Sequence, residues 1–256
     1  MTDSECRDKV LCQWGDIGHA LRLLTRLPMP GGGTPGRGGR AAWAWPLAGL
    51  VVGGCGVLLL SLALWLGVPT GCAAALALTG MIMATGALHE DGLADSADGL
   101  WGGGTVARRL EIMRDSRVGS YGVLALGLSL LARWSLITSL ADSAPLALIA
   151  AAMPSRAAMA GVMALLPPAR DQGLSHRTGR PPRFTVLLAL GAACAGAVVL
   201  SGLSAGLTAT LVACGAAGAV AALANAKIGG QTGDILGASQ QMAEIAALAA
   251  LAALLV

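Results

Sequence analysis

Seven stretches of this chain, at about 41–66, 70–88, 121–141, 144–166, 184–200, 207–224 and 242–256, hold at most one charged residue each. A helix needs about 20 predominantly apolar residues to cross the hydrocarbon core of a bilayer. Backbone groups inside that core must be satisfied within the segment or by a closed barrel, so long unbroken apolar stretches fold as helices. The expected fold class is therefore all-α, a polytopic membrane helical bundle of about seven transmembrane helices, or six if the short last stretch does not span. Only 12% of the residues are charged, against roughly a quarter in soluble domains, which excludes an ordinary soluble enzyme. The chain has 37 Gly and only eight aromatic residues. That composition favours thin helices in close contact, and Gly49 and Gly53 form one GxxxG pair.

Fifteen of the 17 Lys and Arg fall in 1–40, 89–120, 167–183 and 225–241, the other two being Arg133 and Arg156 inside apolar stretches. The alternate connections near 67–69, 142–143 and 201–206 have none. Cytoplasmic loops carry the Lys and Arg excess, so the N-terminus and loops 89–120, 167–183 and 225–241 are expected in the cytoplasm. The reading is one N-terminal cytoplasmic or interfacial segment, 1–40, and one transmembrane catalytic domain, 41–256. Within 1–40, Leu11, Trp14, Ile17, Leu21 and Leu24 recur at helical spacing ahead of Leu27-Pro28-Met29-Pro30, which suits an amphipathic interfacial helix. The charged start and the late onset of apolar sequence argue against a cleaved signal peptide. The net charge of +3 is small and scattered, so no nucleic-acid surface is expected. The six cysteines show no CxxC spacing and read as small packing residues.

Four of the 14 acidic residues lie in His89-Glu90-Asp91-Gly92-Leu93-Ala94-Asp95-Ser96-Ala97-Asp98. On a helix, Asp91, Asp95 and Asp98 share one face, while Glu90 points elsewhere. Like charges so placed need a cation between them, and Mg²⁺ is held by a few carboxylates plus substrate phosphates; a solvated acidic helix end is the alternative. Arg108, Arg109, Arg114 and Arg117 follow, and guanidinium groups fork onto phosphate oxygens, although anchoring at the membrane surface explains them equally. A second polar knot, Gly229-Gly230-Gln231-Thr232-Gly233-Asp234, can turn backbone N–H groups toward an anion. There Asp234 can ligate a metal or accept a proton from an attacking hydroxyl, and a plain capped turn is the alternative. Arg133 and Arg156 must pair or face water.

The segments LTRLPMP at 24–30, ALHEDGLADSADGLWGG at 87–103, RRLEIMRDSRVGSYG at 108–122 and GGQTGDILGASQQ at 229–241 resemble the cobalamin synthase family, the adenosylcobinamide-GDP ribazoletransferases. The resemblance runs nearly end to end. It implies a Mg²⁺-dependent transferase of the bacterial inner membrane. A hydroxyl of α-ribazole, or of its 5'-phosphate, would displace GMP from adenosylcobinamide-GDP. On that reading Asp91, Asp95 and Asp98 with Glu90 hold Mg²⁺, and Arg108, Arg109, Arg114 and Arg117 offset phosphate charge. The 229–233 knot helps bind substrate, and Asp115 or Asp234 orients or deprotonates the hydroxyl. A homo-oligomer stays open. So do three other readings: a CDP-alcohol phosphotransferase, suggested by Asp95-x2-Asp98-Gly99; a prenyltransferase using a diphosphate, suggested by Asp91-x3-Asp95; and a transporter.

Overall fold

The computed structural model describes residues 11–29 and 37–256. Among them the helices are α1 (Trp14–Leu24), α2 (Trp45–Trp65), α3 (Thr70–Thr85), α4 (Leu88–Gly102), α5 (Val106–Ile112), α6 (Ser120–Leu140), α7 (Ala147–Leu165), α8 (Leu174–Thr178), α9 (Arg183–Ser201), α10 (Leu203–Ile228) and α11 (Gly233–Leu255). A 3-10 segment, Gly38–Ala44, leads into α2. No strand occurs among the described residues, where Pro168 and Gln231 form an isolated parallel bridge. The chain is thus all-α, as expected.

Six helices are long and apolar enough to cross a membrane: α2 with its 3-10 lead, α6, α7, α9, α10 and α11. The seventh expected span is a broken one. After 16 residues α3 stops, and α4 departs at 87°. The break is written in the backbone: Gly86 (φ 63°) and Ala87 (φ 58°) both adopt the left-handed conformation, and Ala87 is the only non-glycine with positive φ among the described residues. Their N–H groups donate back to Met83 and Ile82, closing the end of α3. The N-terminal Leu-Thr-Arg segment is tied to this break, because Arg26 N–H donates to the Ala84 carbonyl and a Cβ on Gly86 would strike the Arg26 side chain.

The expected polar stretch 225–241 is mostly helix. It splits between the end of α10 and the first turns of α11, leaving only 229–232 outside, so the last span has 23 residues rather than fifteen. Likewise 89–120 is largely α4 and α5 rather than an open loop. α7 lies at the centre, packed by α2, α9, α10 and α11, while α11 also meets α4 and α6. The GxxxG pair does what small residues allow: Gly49 and Gly53 of α2 lie against the Ala152 and Ile149 backbone of α7, where a Cβ has no room. α1 is amphipathic, with Ala20, Leu21 and Leu24 buried on the bundle and Trp14 exposed. Its buried Asp16 binds Arg37 and the Trp43 indole, fastening α1 to the 3-10 segment. The five described cysteines are free, but Cys12 and Cys72 are exposed and so do not pack inside the protein; Cys6 lies outside the described residues.

Candidate active site

The break between α3 and α4 lays the acidic helix across the first turns of α11. Gly92 and Gly237 meet backbone to backbone there, and a Cβ on Gly92 would press on the Asp234 carbonyl. That crossing brings Asp91 and Asp234 to the rim of one cleft of about 260 Å³. Asp95 stands beside them, within electrostatic reach of Asp91, Asp98 and Asp234. Arg170 is the counter-charge on the rim: its NH1 lies 3.2 Å from Asp234 Oδ2, and its NH2 donates to the Leu110 carbonyl. Thr232 caps α11, accepting from Ile235 N–H, and its hydroxyl donates to Asp234 Oδ2 at 3.1 Å. Segment 167–169 is held against the knot by two backbone bonds, Gln231 N–H to Pro167 and Ala169 N–H to Gln231. Thus α4, α11 and the segment after α7 build the site together.

Several expected site residues sit elsewhere. Glu90 is buried and bound to Arg133 at 2.7 Å, so it does not join the acidic face. Asp98 lies on that face but is spent as a cap: its two oxygens accept the N–H groups of Gly119 and Gly122 at the start of α6, at 2.7 and 2.9 Å. Either glycine with a Cβ would strike that carboxylate, which is why Gly-x2-Gly precedes the span. Asp115 is on the surface, chelated by Arg117, whose hydrogen bonds pull the carboxyl down to about 2. It borders a separate shallow depression with Asp98 and Tyr121 and does not line the cleft. Arg108 pairs with Glu111, and Arg109 donates to the Lys227 carbonyl; neither lines the cleft, and Arg114 does not either. Their recurrence as Arg-Arg is a surface pattern joining α5 to α10.

The glycine knot divides by role. Gly229 ends α10 in the left-handed conformation (φ 70°), and a Cβ on Gly230 would run into the Pro167 carbonyl, so backbone geometry accounts for a glycine at both positions. Gln231 is fully buried and does not line this cleft. Only Thr232 and Gly233, with Asp234, open to the cleft. Among the described residues no three Asp, Glu, His or Cys side chains converge closely enough to hold a metal ion by themselves. Asp91, Asp95 and Asp234 nevertheless suit Mg²⁺ chemically, since it needs only one or two carboxylates when substrate phosphates complete its shell.

Sequence reasoning missed three parts of this site. Arg170 stands out in the sequence only as one of the positive charges of 167–183. His89 and Trp45, both buried, line the cleft from beneath. The third part is the buried quartet behind them, which answers what Arg133 and Arg156 do. Glu244 binds Arg133 at 3.0 Å and Arg156 at 2.8 Å, Arg133 also binds Glu90, and Gln240, Gln241 and Ser155 bridge the rest. Two positive and two negative groups balance there, and three of them, Arg133, Arg156 and Glu244, are each the only charge in an apolar stretch of the sequence.

Fold and site together define a polytopic, all-α membrane enzyme whose acidic cleft opens at one end of the bundle, beside a broken helix. A family model described as cobalamin-5-phosphate synthase matches residues 16–252, and the chain belongs to that family. A relative from Mesorhizobium japonicum, named adenosylcobinamide-GDP ribazoletransferase, is 48% identical over 238 residues, 91% of each chain. Relatives of the same name from Azorhizobium caulinodans and Bradyrhizobium diazoefficiens are 47% and 45% identical, the first covering 91% of this chain and 93% of its own, the second 93% of each. No solved structure matches the chain.

Proposed function

We propose that this chain joins adenosylcobinamide-GDP to α-ribazole, or to its 5'-phosphate, releasing GMP at the α4–α11 cleft. The observation that carries the reading is the meeting of Asp91, Asp234, Thr232 and Arg170 on one rim, in a chain of this family. The acceptor hydroxyl oxygen forms a bond to the phosphorus that bears the cobinamide, and the P–O bond to GMP breaks. The hydroxyl proton passes to a carboxylate, for which Asp234 is the candidate, because it lines the cleft whereas Asp115 is chelated by Arg117 and does not. Arg170 holds Asp234 in place and offers a guanidinium to phosphate oxygens, as the surface arginines do not. Mg²⁺ bound by Asp91, Asp95 and Asp234 would neutralise charge on the diphosphate and its leaving group. Most of the rate then comes from positioning and charge neutralisation.

The Lys and Arg asymmetry supports a cytoplasmic cleft in the bacterial inner membrane, the side where a charged nucleotide substrate is met. The test is GMP release by the purified protein in lipid, titrated with Mg²⁺. Asp91→Asn and Asp234→Asn should each abolish Mg²⁺-dependent release while the protein elutes and melts as wild type does. Undiminished release from either variant would refute the assignment.

A further inference from the structure

The cleft is chemically two-sided. Its rim is polar and open, with Asp91 and Gln172 exposed and Asp234 and Arg170 half-buried. Its floor is apolar and closed: Leu24 of α1, Trp45 of α2, Met159 and Met163 of α7 and Leu236 of α11 are all buried against it. Four helices therefore converge on the floor of a hole that none of them fills. A volume of about 260 Å³ lies just below the range of roughly 300–1,000 Å³ typical of clefts that enclose a whole small ligand. It is too small for a corrinoid, or for a nucleoside diphosphate with its attached group. It is of the order of one ring system, with room at the open rim for an attached sugar.

The floor selects among bases by chemistry. A guanine ring carries donors and acceptors along its edge that must find partners when buried. Below the rim the lining offers two buried side-chain nitrogens without a partner, Trp45 Nε1 and His89 Nε2, fewer than that edge needs, whereas leucine, methionine and a tryptophan face suit a flat ring with few polar atoms, since thioethers and aromatic faces attract one another. We infer that the floor formed by Leu24, Trp45, Met159 and Met163 is the binding site for the aromatic base of the acceptor nucleoside, which places the acceptor's sugar hydroxyl against Asp234. The inference rests on the ribazole-transfer reading and adds to it which substrate lies in the cleft and by what groups it is held. The donor then approaches from the open side, its diphosphate on the rim and its bulky remainder outside.

The test separates the two substrates kinetically. Met163→Ala, and independently Met159→Leu and Leu24→Ala, are measured with α-ribazole and cobinamide-GDP in lipid. Leu24 belongs to α1 and Met159→Leu conserves volume, so at least one variant tests the floor if Met163→Ala does not fold. The KM for α-ribazole should rise about tenfold or more in Met163→Ala, the scale of a lost apolar pocket contact. The KM for cobinamide-GDP, and kcat at saturating α-ribazole, should stay within about twofold of wild type. A riboside of a ring-enlarged base, naphthimidazole, should regain a low KM in Met163→Ala but not in wild type, a rescue that a merely structural role does not give. A rise in the donor KM instead, or no change in either KM, would overturn the inference while leaving the activity standing. Failure of the wild-type protein to release GMP at all would remove the ribazole-transfer reading itself.

Discussion

Glu244 lies in the apolar interior with 1% of its surface exposed, yet each of its oxygens carries an arginine: Arg133 at 3.0 Å on Oε1 and Arg156 at 2.8 Å on Oε2. Gln240 donates a further bond to Oε2. Glu244→Gln preserves the shape but removes the charge that two buried cations share. Glu90 still offsets Arg133, whereas Arg156 keeps only the Ala152 carbonyl, Ser155 and the new amide. Breaking a buried ion pair by neutralising one partner costs about 3–5 kcal/mol. At roughly 2–4 °C per kcal/mol for a chain of this size, the unfolding midpoint in detergent should fall by about 6–20 °C. Adding Arg156→Met removes the stranded cation and leaves the Glu90–Arg133 pair balanced, so the double variant should be more stable than the sum of its single effects by roughly 1–3 kcal/mol. Thermal unfolding followed by tryptophan fluorescence reads both numbers. A Glu244→Gln midpoint within about 2 °C of wild type, or strictly additive effects, would refute the view that charge balance holds α4, α6, α7 and α11 together.

Asp98→Asn loses one of the two N–H bonds that start α6, which should cost about 1 kcal/mol of stability and leave the Mg²⁺ dependence of turnover unchanged; an altered Mg²⁺ requirement would return Asp98 to the metal site. Gly230→Ala collides with the Pro167 carbonyl and should lower stability by roughly 1–3 kcal/mol, whereas Gly233→Ala meets nothing within 4 Å and should melt as wild type but turn over more slowly, its methyl narrowing the cleft mouth. Equal stability losses in the two would contradict the division of the knot. The Asp115 carboxyl, held at about 2 against an ordinary 3.8, is depressed on folding, so its contribution is complete above about pH 4 and fades only as pH falls toward 2. Asp115→Asn should therefore leave the rate–pH profile between 5 and 9 superimposable on wild type, and loss of turnover together with its acidic limb would make Asp115 the base.

The spans were legible because hydrophobic length is a direct consequence of bilayer thickness, and six of the seven stretches agree with a helix to within about four residues at both ends, while the last helix begins at Gly233 rather than 242. The break after Thr85 was not. It depends on two consecutive left-handed residues, and Ala87 gives no local sign that it will adopt such a conformation. The polar character of 233–244 concealed a helix, because Gln240, Gln241 and Glu244 point into a polar core that is itself buried. At the site, the helical face of Asp91, Asp95 and Asp98 followed from periodicity, but periodicity does not say which carboxylate a neighbouring helix end will take. Asp98 is taken by α6. The role of Arg170 depended on the fold of 167–169 against 231, a contact between residues more than sixty positions apart.

Paired arginine variants test most directly where the reaction occurs. GMP release is measured in lipid, with cobinamide-GDP and α-ribazole saturating, for Arg170→Met on the cleft rim and for Arg108→Met on α5 and Arg117→Met on the connection after it. A rim cation that offsets charge during transfer should be worth about 10²–10³ in turnover, so Arg170→Met should lose that much while the surface variants stay within about threefold of wild type. Near-normal release from Arg170→Met alongside a collapse in Arg108→Met or Arg117→Met would move the chemistry to the α5 surface and contradict the cleft.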